Sequence, residues 1–317
     1  MCGICGKYSP EGVTQADIRP MLELLTHRGP DDKGVYVQGR IGLGNTRLSV
    51  IDLSGGHQPM SNEDGTIWIV YNGEIYNHRL LREMLEKKGH LFRTNSDTEV
   101  IVHLYEENGE HFVEKLKGMF AIAIWDDNHK KLILARDHLG QKPLFYTQVG
   151  RDLLFASEIK ALLAVSDRQR EIDLESLHHY LSLRFIPSPR TMLQGIHKLP
   201  PAHLLVFQHG EIRTRRYWHL SFRGYQNLSE ADIIDALRKK LVQTVNTHLV
   251  SDVSVGAFLS GGLDSSMIVA LMATEAGSSL KTFTVGVNEQ DYDEIPYARL
   301  VADHFELNIS NNEWTLI

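Results

Sequence analysis

Two stretches of the sequence place reactive residue types at spacings that make chemistry. Cys2 directly follows the initiator methionine. With Met1 removed, its thiol and α-amino group belong to one residue. An α-amine with a pKa of about 7.7 to 8.0 takes the thiol proton near neutral pH, so such a residue is nucleophile and general base at once. The second stretch, Ser260-Gly261-Gly262-Leu263-Asp264-Ser265-Ser266, joins an apolar run ending at Leu259 to an amphipathic segment. Small residues in such a loop let backbone N–H groups face a phosphate, and the positive end of the following helix adds to the attraction. No Gly-Lys-Ser/Thr follows, so this is not a kinase-type P-loop. Each stretch also has a plain reading: Cys2 as a small residue tolerated after methionine, the glycines as a turn. A zinc or redox role for Cys2 with Cys5 finds no second cysteine pair and no histidine pair at finger spacing.

The elements that position these residues follow from periodicity. Val35–Val37, Ile41–Asn45, Ile67–Tyr71, Phe120–Trp125 and Leu132–Ala135 read as strands, with Asp64-Gly65 as a hairpin-type turn and Asp126–His129 as a second connection, so neighbours pair antiparallel. Ile18, Met21, Leu22 and Leu25 recur at helical spacing, as do Leu81, Met84 and Leu85, and Val100, Ile101 and Leu104. The first part is therefore antiparallel sheet with helices. Four prolines between Ile186 and Ala202 precede a hairpin-like segment over Leu204–Tyr217, which sets the domain boundary near Tyr217. Beyond it, Ser229 and Asp232 form a capping box for a helix with Ile233, Leu237, Leu241 and Val245 on one face. A strand over Val253–Leu259, a helix over Ser266–Thr274 and a strand over Thr282–Val287 are the order of a parallel, helix-covered sheet.

Composition bounds the function classes. The chain has 317 residues, 42% hydrophobic and 23% charged, enough for two cores and unlike a disordered chain. Its formal charge of −7, with no basic block, argues against a nucleic-acid partner. The apolar run Met119–Trp125 falls far short of the roughly 18 residues of a membrane span. No basic segment leads into an apolar one at the N-terminus, so neither a signal nor a transit peptide is read, and a cytoplasmic location with reduced thiols is expected.

The company Cys2 keeps changes its weight. MCGICG is followed in order by His27-Arg28-Gly29-Pro30-Asp31, Arg47–Asp52, Tyr71-Asn72-Gly73-Glu74-Ile75-Tyr76-Asn77 and Ser96-Asp97-Thr98-Glu99. Over residues 2 to about 210 this set closely resembles the N-terminal-nucleophile glutaminase domain of class II glutamine amidotransferases. The resemblance implies a four-layer αββα sandwich over 2–217, with Cys2 as nucleophile and the Asn72 side chain and Gly73 N–H as oxyanion donors. It implies glutamine binding by Arg47, Glu74, Asp97 and the backbone of Val50 and Ile51. Alone, Arg47 reads as a strand-end charge, Asn72-Gly73 as a turn and Asp97 as a helix N-cap. Arg28 and Asp31 are read as structural support, and Arg136–Pro143 and Ala156-Ser157-Glu158 are given folding roles.

The glycine loop is similar to the pyrophosphate loop of enzymes that adenylate a carboxylate, which implies the start of an α/β ATP-pyrophosphatase domain over 218–317. There Ser260, Gly261, Gly262, Asp264 and Ser265 would grip the pyrophosphate, Asp264 would help hold Mg²⁺, and Leu259 and Val285 would frame the adenine of ATP. Asp293-Glu294 and Tyr297-Ala298-Arg299 open the next helix, and Ser254 stands where the family commonly has proline. The pairing resembles glutamine-dependent asparagine synthetases, whose substrates are glutamine, aspartate and ATP, with a homodimer as the implied assembly. Alternatives are an amidotransferase acting on another carboxylate, a chain with glutaminase activity alone, and a non-catalytic binding protein. The tail Glu306–Ile317 departs from the family pattern, and with 100 residues after Tyr217 the synthetase half is expected to be incomplete.

Overall fold

The segment Gly118–Asp126 shows what the first part of the chain builds. Phe120, Ile122 and Ile124 enter one apolar cluster while Ala121, Ala123 and Trp125 enter another, so a two-residue period buries both faces. Such a strand needs a packed layer on each side. The computed structural model describes residues 1–166, 170–222, 228–276, 280–287 and 293–314, and the chain divides into the units Met1–Ser221 and Phe222–Ile317.

The first unit runs β1 (Gly3–Tyr8), α1 (Gln15–Glu23), β2 (Asp32–Gln38), β3 (Ile41–Arg47), β4 (Met60–Ser61), β5 (Ile67–Ile75), α2 (His78–Glu86) and α3 (Asp97–Asn108). It continues with β6 (Gly118–Asp126), β7 (Lys131–Arg136), β8 (Phe145–Val149), β9 (Asp152–Ala156), α4 (Ile159–Leu163), α5 (Leu174–Leu183), β10 (Ile196–Lys198), β11 (His203–Gln208) and β12 (Glu211–Arg216). One antiparallel sheet has the order β10-β8-β9-β1-β3-β2 and the other β12-β11-β7-β6-β5-β4. Ile4 and Leu43 of the first sheet meet Val70, Trp125 and Phe207 of the second in a shared core. On the outer face of the first sheet lie Ile18, Met21 and Leu162 of α1 and α4, and on that of the second Leu81, Ile101 and Leu104 of α2 and α3. The layers are therefore helix, sheet, sheet, helix, the N-terminal-nucleophile arrangement the motifs imply.

Several expectations shift by local physics. Leu25 lies beyond the end of α1 yet stays fully buried, and Met84 of α2 is 45% exposed although Leu81 and Leu85 are buried. Asp64-Gly65 closes the short β4–β5 pair, with Gly65 at φ +71°. The N-cap of α3 is Ser96, whose hydroxyl accepts from the Thr98 N–H, and Asp97 is the first helical residue.

The second unit runs α6 (Glu230–His248), β13 (Gly256–Phe258), α7 (Leu263–Ala276), β14 (Lys281–Val287), α8 (Ile295–His304) and β15 (Asn308–Trp314). Its three strands pair in parallel in the order β13-β14-β15. The Ser229–Asp232 capping box forms at the start of α6. The anticipated apolar face of that helix does not bury as a whole: Val245 joins the core, while Ile233 and Leu237 are 47% and 57% exposed, because the small core reaches the C-terminal end of the helix. The strand read over Val253–Leu259 shortens to Gly256–Phe258, which among the described residues pairs with β14 alone. Helix α7 begins at Leu263, ahead of Ser266, because the first helical bond already runs from the Ser266 N–H to the Gly262 carbonyl. The segment read as a departing tail contributes β15, and residues 315–317 of it lie outside the described residues.

Candidate active site

The site is built where the apolar layer between the two sheets turns polar at one end. On β1, Ile4 and Tyr8 point into that layer, and carrying the two-residue period back places Cys2 on the same face. On β3, Ile41 and Leu43 point inward and are continued by Asn45 and Arg47. On β5, Val70 points inward and is continued by Asn72 and Glu74. The β1–β3 register, Gly3 opposite Thr46, sets Cys2 beside Arg47. One sheet thus supplies a thiol and a guanidinium, and the other a carboxamide and a carboxylate.

Each group is held by specific bonds. The Cys2 sulfur accepts from the Leu48 N–H at 3.4 Å and donates to the Leu48 carbonyl at 3.6 Å. Arg28 Nε donates to the Cys2 carbonyl at 3.0 Å and Arg28 Nη1 to Glu158 Oε1 at 2.9 Å, while Ser157 Oγ accepts from the Ile4 N–H at 3.0 Å. Asp31 Oδ2 accepts from the Ser49 N–H at 2.8 Å. These are the supporting roles read for Arg28, Asp31 and the Ala156–Glu158 stretch. Arg47 is 4% exposed, and its guanidinium donates to the carbonyls of Ile51, Asp52 and Leu53, so it organises the loop that carries Val50 and Ile51.

Along the far edge of β5 a donor ladder appears. Tyr71 N–H donates to Gln58 Oε1 and Ile75 N–H to Asp97 Oδ2, so the same period aims the Gly73 N–H along that edge, away from β6. A Cβ at Gly73 would stand 2.2 Å from the Met119 carbonyl oxygen, which makes glycine a steric requirement. Asn72 is 2% exposed, and its Nδ2 is buried without a hydrogen-bond partner among the described residues. A buried amide donor left open calls for an acceptor that arrives later.

In the second unit, Gly261 has φ +76°, and a Cβ there would lie 2.4 Å from Tyr297 Cβ, so the loop backbone passes against α8 where only hydrogen fits. Ser260 and Ser265 share a hydrogen bond at 2.9 Å between their hydroxyls, and the Gly262 N–H donates to Ser260 Oγ at 3.2 Å. Ser266 Oγ is buried without a partner among the described residues, and Asp264 is exposed on the first turn of α7. Leu259 and Val285 differ: the Leu259 side chain is buried in the core of this unit, whereas Val285 is 51% exposed.

The sequence profile described as "Glutamine amidotransferase domain" matches residues 1–218. The chain belongs to the glutamine amidotransferase family. A second profile, "Asparagine synthase", matches residues 236–314. The chain is 42% identical over 308 residues to asparagine synthetase [glutamine-hydrolyzing] 1 of Bacillus subtilis, covering 95% of this chain and 48% of that one. Over 318 residues it is 38% identical to an asparagine synthetase of Arabidopsis thaliana (96% and 49%), and over 341 residues 36% identical to an amidase of Penicillium rubens (98% and 50%). The chain spans about half the length of these curated relatives. A solved glutamine phosphoribosylpyrophosphate amidotransferase from B. subtilis shares the fold at TM-score 0.53 and 17% identity, covering 99% of this chain and 81% of that one.

The electrostatics of the candidate site follow from its burial. Desolvation raises the Cys2 thiol pKa, partly offset by the Leu48 N–H, the N-terminal amine and Arg47, so the thiol keeps its proton at neutral pH. Desolvation, then the charge of Asp97, pushes Glu74 up to about 8, against the pull of Lys142. Burial also raises Asp97, although it accepts from the Ile75 N–H and from the Tyr71 hydroxyl at 2.8 Å. Lys142, 6% exposed, is depressed by desolvation and drawn back up by Glu74 and Cys2. Lys142 and Tyr71 are thus members of the site that the residue-by-residue reading did not single out. Both lie inside quoted motifs, and what brings in Lys142 is burial of its ammonium within electrostatic reach of Glu74 and Cys2. The rest of the Arg136–Pro143 motif is structural: Asp137 accepts four backbone N–H groups, and Arg136 donates to the carbonyls of Lys142, Leu199 and Gly140. Both cysteines are free, and Cys5 is fully buried in a different apolar cluster. Among the described residues no helix is long and apolar enough to cross a membrane.

Proposed function

We propose that the first unit hydrolyses glutamine at Cys2 and that the ammonia released serves glutamine-dependent asparagine synthesis. The observation that carries this reading is the open, buried Nδ2 of Asn72 on the face that, on the opposite sheet, bears Cys2. Met1 is 57% exposed, accessible to removal, and its loss gives Cys2 an α-amine to accept the proton that burial holds on the thiol. Attack on the glutamine carboxamide forms a carbon–sulfur bond and a tetrahedral oxyanion, stabilised by Asn72 Nδ2 and the Gly73 N–H. Collapse expels ammonia with the transferred proton and leaves a thioester, which water hydrolyses to glutamate. Glu74 and Asp97 accept from the glutamine α-ammonium, and the loop ordered by Arg47, with Val50 and Ile51, holds its α-carboxylate.

In the second unit, the Cβ-free backbone at Gly261, the interlocked Ser260 and Ser265, Gly262 and the open Ser266 hydroxyl fit a pyrophosphate, and Asp264 supplies an oxygen ligand suited to Mg²⁺. ATP bound there, with Val285 and the Leu259 backbone near the base, would supply the adenylyl group that activates the aspartate β-carboxylate. The products would be asparagine, glutamate, AMP and pyrophosphate. The residue domains proposed are 2–217 and 218–317.

The test is glutamate release from glutamine, with and without ATP and aspartate, assaying asparagine and pyrophosphate together. Glutamate release abolished by Cys2→Ala supports the first site. Asparagine with stoichiometric pyrophosphate supports the second. Glutamate without asparagine confines the activity of this chain to glutamine hydrolysis, and absence of glutamate overturns the proposal.

A further inference from the structure

Away from Cys2, the end of α3 carries a cluster that the glutaminase chemistry does not use. His103 of α3, His90 in the turn after α2, Glu63 in the β4–β5 turn and Glu106, one turn beyond His103, converge. The ligand atoms of Glu63, His90 and His103 all lie within 4.8 Å of one another. Glu106 Oε2 stands 2.8 Å from His103 Nδ1 and 3.6 Å from His90 Nδ1, and Glu63 Oε2 is 3.8 Å from His103 Nδ1. A tetrahedral zinc site with bonds of about 2.0 to 2.2 Å has edges of about 3.3 to 3.6 Å. The His90–Glu106 and Glu63–His103 separations of 3.6 and 3.8 Å stand close to that figure, and the His103–Glu106 hydrogen bond at 2.8 Å would have to open.

The surroundings match as well. Imidazoles that bind a metal through one nitrogen usually present the other to a carboxylate, which fixes the ring. His90 Nε2 lies 3.1 Å from Glu107 Oε1 in this way, whereas His103 Nε2 is buried without a hydrogen-bond partner among the described residues, 3.8 Å from Glu99 Oε1. The second oxygen of Glu106 accepts from Asn62 Nδ2 at 2.9 Å. The His103 side chain is 1% exposed, with Phe92 edge-on at 4.7 Å between ring centroids. Lys88 pairs with Glu107 at the rim.

We propose that Glu63, His90, His103 and Glu106 form a structural Zn²⁺ site. Two imidazoles and two carboxylates satisfy four-coordinate zinc with protein ligands alone. The ion would pin two surface turns to the helix whose first residue is Asp97. Glu99 extends that link: it accepts from the N–H groups of Arg93 and Thr94, in the loop leading into α3.

The test uses the full chain with Cys2→Ala, which removes a competing sulfur ligand, stripped of metal and titrated with Zn²⁺ by calorimetry. Retained zinc is measured after gel filtration and Tm is recorded with and without the ion. One Zn²⁺ per chain and a rise in Tm are expected. His90→Ala should weaken binding at least about tenfold. Glu63→Gln, at an exposed position, should do the same while leaving the metal-free Tm unchanged, which separates lost ligation from misfolding. Zinc binding unaltered in both variants, or well below one equivalent retained in the parent, overturns the proposal.

Discussion

The Tyr71 hydroxyl donates to Asp97 Oδ2 at 2.8 Å, joining the middle of β5 to the first residue of α3 with both groups buried. Tyr71→Phe removes a donor from a buried carboxylate, which costs about 1 to 3 kcal/mol. Urea unfolding should show that loss. Initial rates should show a higher KM for glutamine with a smaller change in kcat; an unaltered KM would take Asp97 out of substrate recognition.

Asn72→Ala deletes the open amide donor without touching the β5–β6 ladder. Loss of one oxyanion donor lowers kcat by about 10² to 10³. Single-turnover glutamine hydrolysis should show this fall, with the folded state intact by circular dichroism. A fall below tenfold would assign the oxyanion to other donors.

Gly73→Ala tests geometry in place of chemistry. Its methyl would sit 2.2 Å from the Met119 carbonyl oxygen, a backbone atom with no rotamer to yield. The strand must shift, at about 1 to 3 kcal/mol as in other overpacked sites. A lowered Tm accompanied by lost glutaminase activity is expected; normal activity would show that the Gly73 N–H need not be held in place.

Glu74 makes stability depend on pH. Its folded pKa of about 8 lies above the ordinary 4.5, so between these values the folded state binds more protons than the unfolded one. Stability from this group is therefore full below about pH 4.5, falls as pH rises towards about 8, and is flat above. Glu74→Gln should flatten that part of the profile of urea midpoint against pH. An unchanged slope would mean that Glu74 is ionised throughout.

Gly261→Ala places a side chain at φ +76° and 2.4 Å from Tyr297 Cβ. ATP binding measured by calorimetry should be lost, with the helix content of the chain retained. Binding at parental affinity would remove this loop from the nucleotide site.

The individual elements are local properties of the chain. Strands such as Phe120–Trp125 announced themselves by apolar residues at every position, helices α1 to α3 by their three- and four-residue recurrences, and the Ser229–Asp232 cap by its spacing. Cys2 stands out by its place after Met1 and the Ser260–Ser266 loop by its small residues between an apolar run and an amphipathic one, whereas Asn72-Gly73 reads alone as a turn and takes a proposed role only from the resemblance of the whole motif set. Tertiary structure decided what sequence order does not encode. That Cys2 and Asn72 face the same layer depends on two sheets packing with their polar ends together, and neither strand carries a trace of the other. Arg47 looked like a clamp for substrate, and the fold shows it first engaged with three loop carbonyls. Lys142 became part of the site through burial beside Glu74, and Glu63, His90, His103 and Glu106 became neighbours because separate turns land on one helix. Burial and convergence are properties of packed layers, and a linear pattern records them only where one element contains all the partners.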